Sequence, residues 1–98
     1  MTILTALEGA TVLRCEQTDP EMNNLLPLVD DYIKNATGRD WAADTTIDAT
    51  AKSAARMLLV LWHENPGMVG NESSLNFGLR SVLAQLEAKA ILITESTV

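Results

Sequence analysis

Two groups of neighbouring side chains in this 98-residue chain are of the types that enzymes use. The single histidine, His63, is followed by Glu64, but adjacent positions on a helix do not face each other, so these two do not form a base held by an acid. Asp30 and Asp31 are also adjacent, whereas catalysis by two carboxylates needs them placed across a site. We therefore expect no enzyme active site, and we interpret His63 as a packing or capping residue at a helix end.

A third pattern, the acidic repeat Asp40, Asp44 and Asp48, could bring oxygen ligands to a hard cation. Calcium needs about six to eight oxygens and usually a glycine-bearing turn, which this stretch lacks, so we interpret the repeat as a solvated acidic edge. The glycines in the segment 67–70 follow a predicted helix and are not followed by Lys-Ser or Lys-Thr, unlike a phosphate-binding loop. The only cysteine, Cys15, allows no intrachain disulfide and no cysteine-based metal site. We expect no cofactor and no metal.

The composition predicts an all-α protein. Hydrophobic residues make up 47% of the chain but aromatic residues only 4%, so the core must consist largely of Leu, Ala, Val, Ile and Met, a set that mostly favours helices. The net charge is −6, with seven basic residues and no basic cluster, which argues against a surface that neutralises nucleic-acid phosphates. The N-terminus lacks the basic region of a secretory signal, and the longest apolar run, Met57 to Trp62, is far shorter than the ~20 residues of a membrane span. We expect a soluble chain with no membrane partner.

Start and stop signals divide the chain into about four helices. The sequence Thr5-Ala6-Leu7-Glu8 is typical of a capping box and predicts a first helix from about residue 6 to 14. Asp19 followed by Pro20 predicts the start of a second helix, and Gly38 predicts its left-handed end. Pro27 lies inside that helix, where we expect a kink or a break.

The second half of the chain is predicted to hold two more helices. One runs from about residue 46 and is ended by Asn65-Pro66-Gly67, and after a long loop over 66–76 the other ends near Lys89. The segment 90–98 is short and β-branched, so we expect an extended tail outside a helical domain of residues 1–89. The predicted core residues recur at steps of three and four on these helices: Met22, Leu26, Val29, Ile33, Leu58, Leu59, Leu79, Val82 and Leu83.

Two predicted helix ends carry the most specific motifs. The second helix ends in Tyr32-Ile33 followed by Thr37-Gly38-Arg39, and the third ends in Trp62-His63-Glu64-Asn65. In this order and at this spacing the motifs resemble those of the head-tail connector (adaptor, or head-completion) proteins of long-tailed double-stranded DNA bacteriophages. The resemblance covers about residues 5 to 88 and rests on structural rather than catalytic residues.

The resemblance implies a structural virion protein with a small helical fold and no enzymatic activity. Subunits of such proteins form a ring of about twelve by head-to-tail contacts, so each subunit uses two different faces. The ring would dock under the portal protein, extend the DNA channel and attach the stopper or tail-completion protein, with DNA only a passenger in the lumen. It would be assembled in the host cytoplasm and located in the virion neck.

Within that hypothesis we assign two sets of surface residues. The hypothetical interface residues are Trp41, His63, Met68, Ile91, Leu92 and Ile93. The hypothetical channel-facing acids are Asp40, Asp44, Asp48 and Glu72. For each tryptophan, core packing is the commoner role, and the tail could instead fold back on its own domain. The alternative function is a small acidic helical module that binds or regulates another protein, similar to an antitoxin, which would form a small discrete complex.

Overall fold

The computed structural model describes residues 2–65, 67, 69 and 77–96. Over these residues the chain forms four α-helices, α1 (Ala6–Leu13), α2 (Pro20–Thr37), α3 (Ala49–Glu64) and α4 (Phe77–Ser96), with a short 3₁₀ turn at Trp41–Ala43. No strand occurs in this part of the chain, so the predicted all-α bundle is confirmed. None of the helices described is both long and apolar enough to cross a membrane.

The ends of α1 and α2 form where the local signals predict them. The Thr5 hydroxyl accepts the backbone N–H of Glu8 at 3.1 Å, and the Glu8 carboxylate accepts the backbone N–H of Thr5 at 3.0 Å, which completes the capping box. Asp19 caps α2 by accepting the Met22 N–H at 3.1 Å. Gly38 ends α2 with a φ of +80°, a conformation that L side chains rarely adopt.

Pro27 does not break α2, which runs from Pro20 to Thr37 without interruption. The expected break is therefore wrong. Pro27 is exposed, so the backbone group left unpaired by its missing N–H lies on the wet side of the helix. The buried neighbours Leu26 and Val29 hold the opposite side of the helix in the core.

The core lies around a central pair of helices, α2 and α3, with α1 and α4 each packed against both. All of the predicted core residues are buried except Val82, which is partly buried against the same cluster. Gly9 allows α1 to approach this pair closely, because it has no side chain. A Cβ at Gly9 would lie 3.1 Å from the Met22 Sδ and 3.3 Å from the Leu59 Cδ2, tighter than ordinary van der Waals contact.

The extended tail predicted from residue 90 is wrong over residues 90–96, because α4 continues to Ser96. The expected domain boundary after residue 89 thus lies inside a helix. Ala90 is buried and Ile93 is partly buried, and they continue the buried stripe of α4 at helical spacing. Burial of that stripe outweighs the β-propensity of Ile91 and Ile93. Residues 97–98, and all of the predicted 66–76 loop except 67 and 69, lie outside the described residues.

Candidate functional site

The Thr-Gly-Arg motif that ends α2 also fixes the turn that follows it. The buried Thr37 hydroxyl donates to the Ile33 carbonyl at 2.7 Å and accepts the Trp41 Nε1–H at 3.0 Å. The Arg39 guanidinium lies 5.2 Å from the centre of the Trp41 ring and pairs with the Asp44 carboxylate at 2.5 Å. The Nε1–H and one face of the Trp41 indole therefore each have a specific partner from the same motif.

The motif that ends α3 is joined to α2 by an aromatic contact. Tyr32 meets Trp62 edge to face, with ring centres 5.4 Å apart and planes at 90°, an arrangement that aromatic pairs favour. Asn65 caps the helix through its side-chain amide, which donates to the Leu61 carbonyl at 3.0 Å. The buried Trp62 Nε1 has no acceptor in the part of the chain that the structure describes.

These contacts join the five residues of the first motif to Trp41 and to Trp62 of the second motif, in one group that we call the helix-end cluster: Tyr32, Ile33, Thr37, Gly38, Arg39, Trp41 and Trp62. Its contacts are hydrogen bonds, a cation–π contact and ring packing, so its chemistry is that of fixing helix ends in place. Glu64 lies outside the cluster because its side chain is exposed at the last turn of α3.

The hypothetical interface residues have different environments. Trp41 is only 2% exposed and packs in the core, so assigning it to an interface was wrong; the indole hydrogen bond and the surrounding apolar side chains bury it in its own chain. Ile91 and Leu92 are exposed by 52% and 64%, respectively. His63 and Ile93 are partly buried. Met68 lies outside the described residues.

The acidic repeat is not one uniform edge. Asp44 is held by Arg39, while Asp48 caps α3 by accepting the Thr50 N–H at 2.7 Å and also pairs with the Lys89 ammonium at 3.3 Å. Partial burial tends to raise the pKa of Asp48, but these hydrogen bonds outweigh it and hold the pKa below its usual value. Asp40 is exposed. Glu72 lies outside the described residues, and the channel-facing role of all four acids stays a prediction.

Sequence reasoning missed a contact that seats the N-terminal segment. Both oxygens of the Asp30 carboxylate accept the Ile3 N–H, at 3.1 and 3.2 Å, and Ile3 and Leu4 are fully buried in the core. Asp30 lines a pocket of about 470 Å³ together with Asp31, Lys34 and Asp40. Burial raises the pKa of Asp30 to about 6. The apolar pair Ile3-Leu4 before the Thr5 cap indicates that the segment is buried, but no local signal identifies Asp30 as its partner.

Among the described residues, no group of three or more His, Cys, Asp or Glu side chains is placed to hold a metal ion. Comparisons of the chain with protein-family models, with curated proteins and with solved structures found no match.

Proposed function

We propose that the chain is a structural virion protein, a ring-forming adaptor at the head-tail junction of a long-tailed bacteriophage. The ring docks under the portal, continues the DNA channel and provides the surface on which the stopper or tail-completion protein assembles. DNA passes through the lumen without being bound, and no cofactor takes part.

The observation that supports this proposal is the helix-end cluster. The motifs that carry the resemblance stand apart in sequence, at Tyr32-Ile33, Thr37-Gly38-Arg39 and Trp62. In the fold they contact one another, through the Tyr32–Trp62 ring pair and the hydrogen bond from the Thr37 hydroxyl to the Ile33 carbonyl. The motif residues fix how α2, the 3₁₀ turn and α3 meet. Two proteins with the same architecture would share such residues. The cluster thus gives the resemblance a physical basis that scattered single matches would lack.

The charge of the chain is compatible with passage of DNA through a ring. At −6 per chain, about twelve subunits carry about −70. Acidic side chains facing a lumen would repel the phosphates and keep DNA from adhering to the wall. The candidates for that wall are the four acids predicted from the sequence, Asp40, Asp44, Asp48 and Glu72. Tight binding of the isolated chain to duplex DNA at physiological salt would contradict this part of the proposal.

The direct test is to co-express the chain with the portal protein encoded in the same genome and to image the purified complex by electron microscopy. We expect an added ring of this chain, coaxial with the portal and with an open central channel. Portal that purifies without the chain, although the chain is folded and in excess, would refute the proposal. Far-UV circular dichroism of the unbound chain provides the control for folding.

The second candidate function is a small acidic protein-binding module, which the exposed apolar side chains on α3 and α4 favour. Such a module would pair with one partner in a small complex of fixed composition. The mass of complexes recovered from cells that express the whole neck region separates the two functions, because the module would not form a ring.

A further inference from the structure

α4 has an apolar side that nothing in the described part of the chain covers. Its buried stripe, Leu79, Leu83, Leu86 and Ala90, packs on the core. The opposite side carries Ala84, Ala88, Ile91 and Leu92, all exposed, and we call these four residues the α4 outer face. Exposed apolar patches on soluble proteins commonly mark contact surfaces.

A concave apolar surface lies beside α1. A groove of about 410 Å³ is lined by Val12 of α1 and by a side of α3 that faces away from the core. We call it the α1–α3 groove; its α3 residues are Arg56, Met57, Val60, Leu61 and Glu64. Met57 is 41% exposed at this surface and, with Val12, Val60 and Leu61, makes its lining apolar.

The two surfaces belong to different helices. The groove is formed by α1 and α3, whereas the outer face lies on the side of α4 opposite to the stripe that packs on the core. Because α4 is held against α2 and α3 through that stripe, a single chain cannot turn its own outer face into its own groove. A second copy can present one surface to the other.

The groove has a basic residue at one end and an acidic residue at the other, and the outer face has an acidic residue at its edge. Glu87 is exposed and lies one helical turn before Ile91, at the edge of the α4 outer face. Arg56 is exposed at the end of the groove nearer the N-terminus of α3, about 12 Å along the helix from Glu64. Within the described residues neither Arg56 nor Glu87 makes an ion pair.

We infer that the occupant of the α1–α3 groove is the α4 outer face of a second copy of this chain, with Ile91 and Leu92 in the groove and Glu87 paired with Arg56. The contact joins two different faces, so it is heterologous: it repeats from copy to copy and closes only as a ring. The inference rests on the proposed function, because it names the contact through which that ring would close. The apolar part supplies affinity, and the ion pair fixes the orientation.

The test disables each surface separately. Leu92→Glu places a charge on the outer face, and Val60→Glu places one in the groove. Leu28→Glu is the matched control, because Leu28 is an apolar side chain of α2 that is 48% exposed and lies outside both surfaces. All three replace side chains outside the buried core, so circular dichroism should show the same helix content as in the original chain.

Mass is measured by light scattering over increasing concentration, alone and with the portal. We expect the original chain and Leu28→Glu to form large assemblies, and Leu92→Glu and Val60→Glu each to remain single chains. A 1:1 mixture of these two variants should form a dimer and nothing larger, because only one intact outer face and one intact groove can meet.

Charge reversal tests the ion pair. Arg56→Glu and Glu87→Arg should each raise the dissociation constant by about threefold to tenfold, and the two together should restore it. Assemblies unaffected by both Leu92→Glu and Val60→Glu would overturn the inference, as would a mixture of the two that stays monomeric. If those variants still form rings on the portal, the contact is wrong but the proposed function stands. If the original chain assembles but binds no portal, and the mixture of the two variants still forms the dimer, the inference stands and the proposed function fails.

Discussion

Replacing Thr37 by Val should destabilise the fold far more than its small change in shape suggests. The two side chains have similar volume and similar helix propensity, so packing and backbone preferences change little. The substitution removes the hydroxyl that accepts the Trp41 Nε1–H at 3.0 Å. Trp41 is buried, so no water replaces that acceptor. A buried donor left unpaired costs about 1–3 kcal/mol in the free energy of unfolding.

Thr11→Val is the matched control because it makes the same change in an exposed setting. The Thr11 hydroxyl donates to the carbonyl four residues earlier, Leu7, at 2.9 Å, as Thr37 donates to Ile33 at 2.7 Å. Thr11 is exposed, so water can satisfy whatever the substitution leaves unpaired. We expect a change within about 0.5 kcal/mol. Urea unfolding followed by far-UV circular dichroism measures both variants without relying on tryptophan emission.

A double-mutant cycle with Trp41→Phe isolates the hydrogen bond itself. In the Phe background no indole N–H remains to be left unpaired, so Thr37→Val should cost about 1 kcal/mol less than in the original chain. Equal costs in both backgrounds would refute the reasoning, and so would a Thr37→Val cost no larger than that of Thr11→Val.

Three further predictions follow from burial, backbone conformation and charge. Leu58→Ala should lower the free energy of unfolding by about 2–5 kcal/mol, since Leu58 is fully buried; a loss below about 0.5 kcal/mol in urea would place Leu58 outside the core. Gly38→Ala should cost about 1 kcal/mol through its φ of +80° alone, because no atom lies within 4 Å of the added Cβ, and retained stability in thermal melts would contradict that conformational cause. The pKa of Asp30 is raised from 3.8 to about 6, so the folded state holds this proton more tightly, and the associated stability is fully present below about pH 4 and is lost as pH rises through 6. Between pH 4 and pH 7 the free energy of unfolding of Asp30→Asn should therefore change by roughly 1–3 kcal/mol less than that of the original chain, after allowing for partial solvent screening. The exposed neighbour gives the control, Asp31→Asn, and an unchanged slope for the Asp30 variant would count against the burial of its charge.

The sequence predicted helix ends best where the signal for the end lies in a few adjacent residues. The capping box at Thr5, the Asp19-Pro20 start and the Gly38 end all depend on bonds within one turn, so the sequence contains their full physical cause. The apolar stripe of α2 was predicted equally well, because the apolar residues that recur at helical spacing are the ones that are buried.

The rest depended on contacts between residues distant in sequence. Residues 90–96 have mixed local preferences, and the packing of Ala90 against the core decides for a helix. Asp48 was interpreted as part of an acidic repeat, although it caps α3 and meets Lys89 from α4. The hydrogen bond from the Ile3 N–H to the Asp30 carboxylate joins residues 27 positions apart, which no local pattern reveals. For the helix-end cluster, sequence motifs identified its members except Trp41, whose place in the core became clear only from its burial and its hydrogen bond to Thr37.

The claim that this chain is a ring-forming adaptor is tested most directly by the mass of the species it forms on its portal. The chain and the portal protein from the same genome are mixed, and the complex is measured by size-exclusion chromatography with light scattering. The account predicts that the portal complex gains a fixed mass of about twelve times the 10.6 kDa of one chain. A chain that remains a single copy or a closed pair, with the portal mass unchanged, would contradict it.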